Sequence, residues 1–250
     1  MAGHSKWANI RHRKASVDAK RGAQFTKIAK ELTVAAKEGG GDEVSNPRLR
    51  SAIVKARSAN MPKDNIEKAI KKGTGELEGV TYEEFTYEAY GPNGIAIIIE
   101  TLTDKKSRTI PDVKAILTKA GGSMAENGSV SFLFDHMGVI IVKAPEITED
   151  EFLDIIVESG ADDYELDEEN IYVIKTQKEQ FHNVFSNISK VAEEKTWEIL
   201  EQGLKYIPKS QIELEKDPYE KLLSLFDNLE DYDDVQNIYS NLEMSAGGDE

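Results

Sequence analysis

The stretch TYEEFTYEAYGPNGIAIIIET (residues 81–101) decides the fold class of this chain. Aromatic and apolar residues recur, with imperfect alternation, from Tyr82 to Ala89, which is typical of a strand. The run Ile95–Thr101 is rich in β-branched residues and continuous, as a buried strand would be. Gly91–Gly94 between them has the composition of a tight turn. The stretch therefore predicts a β-hairpin.

Upstream of this hairpin, residues 24–78 carry apolar residues at the spacing of three helices. The first ends at Gly39–Gly41, because three consecutive glycines disfavour a helix. The second begins at Asn46-Pro47, an N-cap residue followed by proline at the first helical position. The third begins near Met61-Pro62 and ends at Gly73. Together they predict a small helical domain with a basic exterior.

Downstream of the hairpin, a helix over Ile110–Ala120 and an alternating strand at Val130, Phe132 and Phe134 complete a β-β-α-β sequence. Residues 136–206 then follow the order βαββαβ, which is the ferredoxin-like arrangement. The last helix and strand have no local partner, and we expect them to return to the first α/β domain. The fold class is thus α+β and multidomain, with one α/β domain inserted in the other. The predicted parts are a basic N-terminal arm (1–23), a three-helix domain (24–78), a discontinuous α/β domain (79–135 with 207–242), an inserted ferredoxin-like α/β domain (136–206) and a flexible tail (243–250).

Charge is divided sharply along the chain. Residues 1–80 hold 17 of the 31 Lys and Arg and 9 of the 46 Asp and Glu, a net charge of +8, whereas residues 81–250 carry −23. A cationic head on an acidic body is typical of a protein that places one end on a polyanion. A solvated basic surface, with Trp7 docked on the helical core, is the alternative. The predicted nucleic-acid contacts are Lys6, Trp7, Arg11, His12, Arg13, Lys14, Lys20, Arg21, Lys27, Lys30, Arg48, Arg50, Arg57 and Lys63, and Asn60, Met61 and Pro62 form a candidate contact loop.

The composition excludes several kinds of chemistry. There is no cysteine, so disulfides, cysteine-ligated metals and thiol catalysis are excluded. The carboxylate runs lie at predicted turns and helix ends, where solvated acids are the rule, and no phosphate-binding loop or catalytic motif is present. No apolar run approaches the length that spans a bilayer, and the N-terminus has no apolar signal region. We therefore expect a cytoplasmic protein that is not an enzyme, with no cofactor, no metal and no membrane contact.

Five ordered strings are spread along the chain: MAGHSKWANIRHRK (residues 1–14), NPRLR (46–50), NMPKD (60–64), YEAYGP (87–92) and DDVQNIY (233–239). These strings resemble the YebC/PmpR family over essentially the whole chain. The resemblance implies an N-terminal helical domain and two α/β domains around a cleft. It also implies cytoplasmic proteins of two functional kinds. Bacterial members are described as probable transcriptional regulatory proteins that bind DNA, and mitochondrial relatives resemble translational activators, with a further link to ribosomes stalled on proline-rich sequences.

The combined expectation is a monomeric, nucleic-acid-binding regulator of gene expression. The family description favours a transcriptional regulator that binds DNA through the basic N-terminal region. The alternative is a translation factor that binds ribosomal RNA or the ribosome. Two features of the sequence favour the alternative, because no helix-turn-helix pair with an evident recognition helix is identifiable and an acidic body would be repelled by a long duplex.

Overall fold

The computed structural model of the chain describes residues 21–145, 147–166 and 170–243. These residues form seven α-helices and two four-stranded sheets, so the fold is α+β and multidomain, as predicted. None of the helices in these ranges is long and apolar enough to cross a membrane. In chain order the elements are α1 (Arg21–Gly39), α2 (Pro47–Ser58), α3 (Lys63–Gly73), β1 (Glu83–Tyr90), β2 (Ala96–Thr103), α4 (Lys106–Lys119), β3 (Ser123–Ala125), β4 (Phe134–Lys143), α5 (Glu149–Ser159), β5 (Asp163–Leu166), β6 (Ile171–Gln177), α6 (Phe181–Glu194), β7 (Glu198–Pro208), α7 (Lys216–Glu230) and β8 (Val235–Ser240).

The described residues divide into two compact units, one formed by Asp135–Ile207 and the other by the chain on either side of it. In the larger unit the sheet order is β3-β1-β2-β8. The predicted hairpin is present, with β1 and β2 antiparallel along their whole length. Helices α4 and α7 cover one face of this sheet, where Ile97, Leu117 and Phe226 belong to one apolar core.

The three N-terminal helices also belong to the larger unit and share a separate core around Leu32, Leu49 and Ile66. The predicted cap of α2 is confirmed. The Asn46 side chain accepts a hydrogen bond from the Leu49 amide at 3.0 Å and donates to the carbonyl of Ala35 at 2.7 Å. Asn46 therefore starts α2 and also ties it to α1.

The Asp135–Ile207 unit has the sheet order β5-β6-β4-β7. With α5 and α6 after β4 and β6, this is the predicted βαββαβ order. Helix α5 begins with a capping box between Thr148 and Glu151 and ends at Gly160, whose φ of 80° suits glycine. The two helices and the sheet enclose a core that includes Phe152, Tyr172 and Trp197.

The predicted strand over residues 130–134 is wrong. Ser131–Leu133 is a turn of 3₁₀-helix, and β4 starts at Phe134. The cause is the buried Glu88 carboxylate on β1, which accepts hydrogen bonds from the amides of Gly128, Val130 and Ser131 at 2.7, 2.6 and 3.0 Å. These amides are therefore not available for a strand ladder, and Phe132 is left 63% exposed.

Helix α4 also begins earlier than predicted, at Lys106 rather than near Ile110, with Pro111 inside it. Its first turn is fixed by contacts with distant residues. The Thr109 hydroxyl donates to Asp234 at 2.9 Å, and Arg108 pairs with the same carboxylate. Sequence periodicity carried no signal for these contacts.

Candidate nucleic-acid interface

The predicted contacts of the basic arm lie outside the described residues. This holds for Lys6, Trp7, Arg11, His12, Arg13, Lys14 and Lys20, and for the side chain of Arg21. Lys27 is described, and its Nζ donates to the carbonyl of Glu230 at 2.7 Å. Lys27 is therefore engaged with α7.

Lys30 has a structural role, which corrects its place among the predicted phosphate contacts. It is 7% exposed, and its Nζ lies 2.7 Å from Oδ1 of Asp234, which is 3% exposed. Oδ2 of Asp234 accepts hydrogen bonds from the hydroxyls of Thr103 and Thr109 and from Arg108. Burial alone would raise the pKa of the Asp234 carboxyl, but Lys30, Arg108 and Thr109 outweigh it and lower the pKa to about 2. The pair therefore stays charged and ties α1 to the loop before β8.

Arg48, at the start of α2, is neutralised by carboxylates. Its guanidinium pairs with Glu31 at 3.0 Å, with Glu38 at 2.6 Å and with Glu84 on β1. Burial acts to lower the pKa of Arg48, but Glu31 and Glu84 outweigh it and raise the pKa above its ordinary value. Arg48 thus joins α1, α2 and β1, and a phosphate would have to compete with three carboxylates for it.

Arg50 and Arg57 occupy the other flank of α2 and hold the loop between α1 and α2. Arg50 donates to the carbonyls of Glu43 at 3.0 Å and Val44 at 2.5 Å. Arg57 lies 3.5 Å from the Glu43 carboxylate and remains 66% exposed. Of these two predicted contacts, Arg57 keeps the more accessible guanidinium.

The three residues of the predicted contact loop differ in exposure, because one is buried and two are exposed. Met61 is 7% exposed and packs in the helical core, so its predicted projection from the loop is wrong. The physical reason is local, since the Met61 amide bonds to the carbonyl of Ala56 and turns the side chain inward with α2. Asn60 and Pro62 are exposed, and Lys63 is exposed beside Glu67 at 3.6 Å.

Five lysines that the sequence analysis left out of the contact list are exposed and form no ion pair with any residue that the structure describes. They are Lys37, Lys55, Lys68, Lys71 and Lys72. On α3, Lys68 and Lys71 lie opposite the buried Ile66 and Ala69, and Lys72 lies on the adjoining flank. The helical spacing of α3 in the sequence contains this signal. The accessible cations of the helical segment are therefore concentrated at its third helix.

Comparison with known proteins shows which family the chain belongs to. Residues 5–76 match the TACO1/YebC protein N-terminal domain, and residues 82–242 match the TACO1/YebC second and third domain. The chain belongs to the TACO1/YebC family. It is 52% identical to a protein of Leptospira biflexa named "Probable transcriptional regulatory protein", over 99% of this chain and 98% of that protein. A protein of Persephonella marina with the same name is also 52% identical, over 98% and 97%.

A solved structure has the same fold as this chain. The crystal structure of a conserved hypothetical protein from Aquifex aeolicus matches with a TM-score of 0.83 and 40% identity, over 98% of this chain and 99% of that one. The family resemblance stated from the sequence strings is therefore confirmed over the whole chain.

Proposed function

We propose that this protein is a non-enzymatic regulator of gene expression that binds nucleic acid through its basic N-terminal region. The observation that carries the proposal is the contrast between neutralised and accessible cations. Lys30 and Arg48 are matched by carboxylates, whereas Lys68, Lys71 and Lys72 on α3 are exposed without a described partner. A lysine without a carboxylate partner can exchange its counterions for a phosphate, and this release drives nucleic-acid binding.

Transcriptional regulation through DNA is the first form of this proposal. It is supported by the names of the Leptospira and Persephonella relatives, "Probable transcriptional regulatory protein". The predicted arm adds five Lys and Arg in residues 1–20 to the cations of the helical segment. Phosphate contacts of this kind position a protein on a duplex, and base contacts would have to supply any sequence preference.

Binding to ribosomal RNA in translation is the second form, and one observation favours it. Residues 81–250 carry a net charge of −23, which a long duplex would repel. A folded RNA surrounded by basic proteins offers phosphates to the cationic head and cations to the acidic body. Cytoplasmic location belongs to both forms of the proposal.

Binding of the full chain to a 30-base-pair duplex and to a structured RNA tests the common claim. With six to eight phosphate contacts, affinity should fall by about 10³–10⁴ between 50 and 200 mM salt. Affinity independent of salt would refute phosphate binding. Gradient sedimentation of lysate then separates the two forms, because a translation factor should migrate with ribosomes at low salt. A footprint on promoter DNA with the protein only in the free fraction would support the DNA form.

A further inference from the structure

A pocket of about 310 Å³ lies between α1, α3 and the segment that leads to β1. This volume is at the lower end of the range for pockets that hold a small organic group. Its wall carries two cations, Lys37 and Lys72, beside the apolar side chains of Leu77 and Val80. Neither the predicted contact list nor the family resemblance includes these residues.

A glycine contact between two helices brings the two lysines to one wall. A Cβ on Gly73 would lie 2.3 Å from the carbonyl oxygen of Thr33 and 3.1 Å from the amide nitrogen of Lys37. Because glycine lacks that atom, the end of α3 packs directly on the backbone of α1. Lys72, the preceding residue, is thereby placed in the same pocket wall as Lys37.

A second glycine fixes the stem of Lys72. The Cβ, Cγ and Cδ of Lys72 lie 3.3–3.4 Å from the position that a Cβ on Gly79 would take. The methylene groups therefore lie along the segment after α3, where Lys72 lines the pocket. Both Lys72 and Lys37 are exposed, and neither has an ion-pair partner within the described residues.

The helix end beside the pocket does not present free carbonyls to an anion. The last carbonyls of α3, those of Ile70, Lys71 and Lys72, accept hydrogen bonds from the amides of residues 74, 77 and 75. Because these acceptors are occupied, the negative end of the helix dipole is partly satisfied within the chain. Lys37 and Lys72 therefore supply the positive charge of the pocket wall, and Glu78 partly offsets it.

The remaining wall is apolar and accessible. Leu77 is 42% exposed and Val80 is 53% exposed, and the ring of Tyr82 lies at the same pocket. Exposed leucine and valine beside two lysines that have no described ion-pair partner suit a ligand that is both apolar and anionic. A nucleotide has this character, because its base has apolar faces and its phosphate is negative.

We propose that this pocket binds one unpaired nucleotide of the nucleic-acid ligand, with the phosphate on Lys37 and Lys72 and the base against Leu77 and Val80. The inference rests on the nucleic-acid binding proposed above and adds a preference for a single strand over a duplex, since a paired base cannot enter the pocket. Glu78 also lines the pocket and repels the phosphate. Its replacement, Glu78→Gln, should therefore strengthen binding.

The test measures binding of a fluorescent 12-nucleotide single-stranded RNA, the same sequence as DNA, and the matching duplex to the full chain at 100 mM salt. The double variant Lys37→Ala/Lys72→Ala should lose about tenfold in single-strand affinity. Lys114→Ala/Lys119→Ala removes the same charge on the exposed side of α4, outside the pocket, and should lose less. Comparison of the RNA with the DNA arm identifies which strand supplies the nucleotide.

A variant that leaves the charge unchanged distinguishes binding in the pocket from general electrostatic attraction of the nucleic acid. Leu77→Ala/Val80→Ala should lower single-strand affinity by about fivefold, because apolar contact with the base is removed, while duplex affinity and the salt dependence stay unchanged. If the wild-type chain binds the 30-base-pair duplex or the structured RNA but none of the three short probes, only the pocket proposal is overturned, and if it binds none of these nucleic acids both proposals fail. The pocket proposal is also overturned if the pocket variants match the Lys114/Lys119 control.

Discussion

Replacing one partner of the buried ion pair between Lys30 and Asp234 should destabilise the fold by several kcal/mol. In Asp234→Asn the neighbouring hydroxyls keep an acceptor of similar shape, but the Lys30 ammonium loses its counter-charge while 7% exposed. Removing one partner of a buried pair costs about 3–5 kcal/mol, because the other charge remains buried. The lowered pKa of Asp234, about 2 against an ordinary 3.8, corresponds to about 2.5 kcal/mol at neutral pH.

Thermal and urea unfolding of the full chain, followed by circular dichroism, measures this loss. A loss of 3 kcal/mol should lower the melting midpoint by about 6–12 °C for a chain of this size. The control is Asp64→Asn, an exposed carboxylate in the first turn of α3, which should cost below about 1 kcal/mol. The double variant Lys30→Met/Asp234→Asn should recover part of the loss, since no unpaired charge is left. An Asp234→Asn variant as stable as the Asp64→Asn control would refute the reasoning.

Three further predictions concern other parts of the molecule. Because the folded-state pKa of Asp234 is depressed, the contribution of its carboxylate to stability is complete above pH 3.8 and is lost as pH falls toward 2. The melting midpoints of wild type and Asp234→Asn should therefore converge between pH 5 and 2, and a constant gap would contradict this. Burial acts to raise the pKa of Glu88, but three amide donors outweigh it and lower the pKa, so Glu88→Gln should cost about 1.5–3 kcal/mol in urea unfolding. It should also speed hydrogen exchange of the amides of residues 128, 130 and 131, and unchanged exchange would show that these amides are held otherwise. Lys68→Glu/Lys71→Glu should reduce both nucleic-acid affinity and its salt slope in a binding titration, whereas an unchanged slope would mean that α3 does not contact phosphates.

Local signals in the sequence were sufficient for most of the elements. The Asn46-Pro47 start of α2 depends on residues within one helical turn, so it could be predicted from spacing alone. The strand predicted at residues 130–134 failed for the opposite reason. Its alternation is typical of a strand, but Glu88, some 40 residues earlier, holds the amides. A side chain so distant in the sequence leaves no mark on local periodicity.

The same distinction explains the candidate interface. The sequence correctly locates the positive charge in the first third of the chain, but it cannot show which cations are neutralised. Lys30 finds its carboxylate 204 residues away at Asp234, and Arg48 reaches Glu84 on β1. The accessible lysines of α3 could have been predicted with a helical wheel alone, because the apolar residues of α3 mark its buried face. The pocket at Lys72 depends on glycine contacts between helices, which no single sequence reveals.

The central claim is that the basic N-terminal region is the surface that binds nucleic acid. The most direct test compares the affinity of the full chain for duplex DNA and for structured RNA before and after Arg11→Glu/Arg13→Glu. The control, Lys114→Glu/Lys119→Glu, makes the same charge change on the exposed side of α4. We expect nucleic-acid affinity to fall by at least about thirtyfold in the arm variant and by much less in the control. Equal losses in the two variants, or none in either, would contradict it.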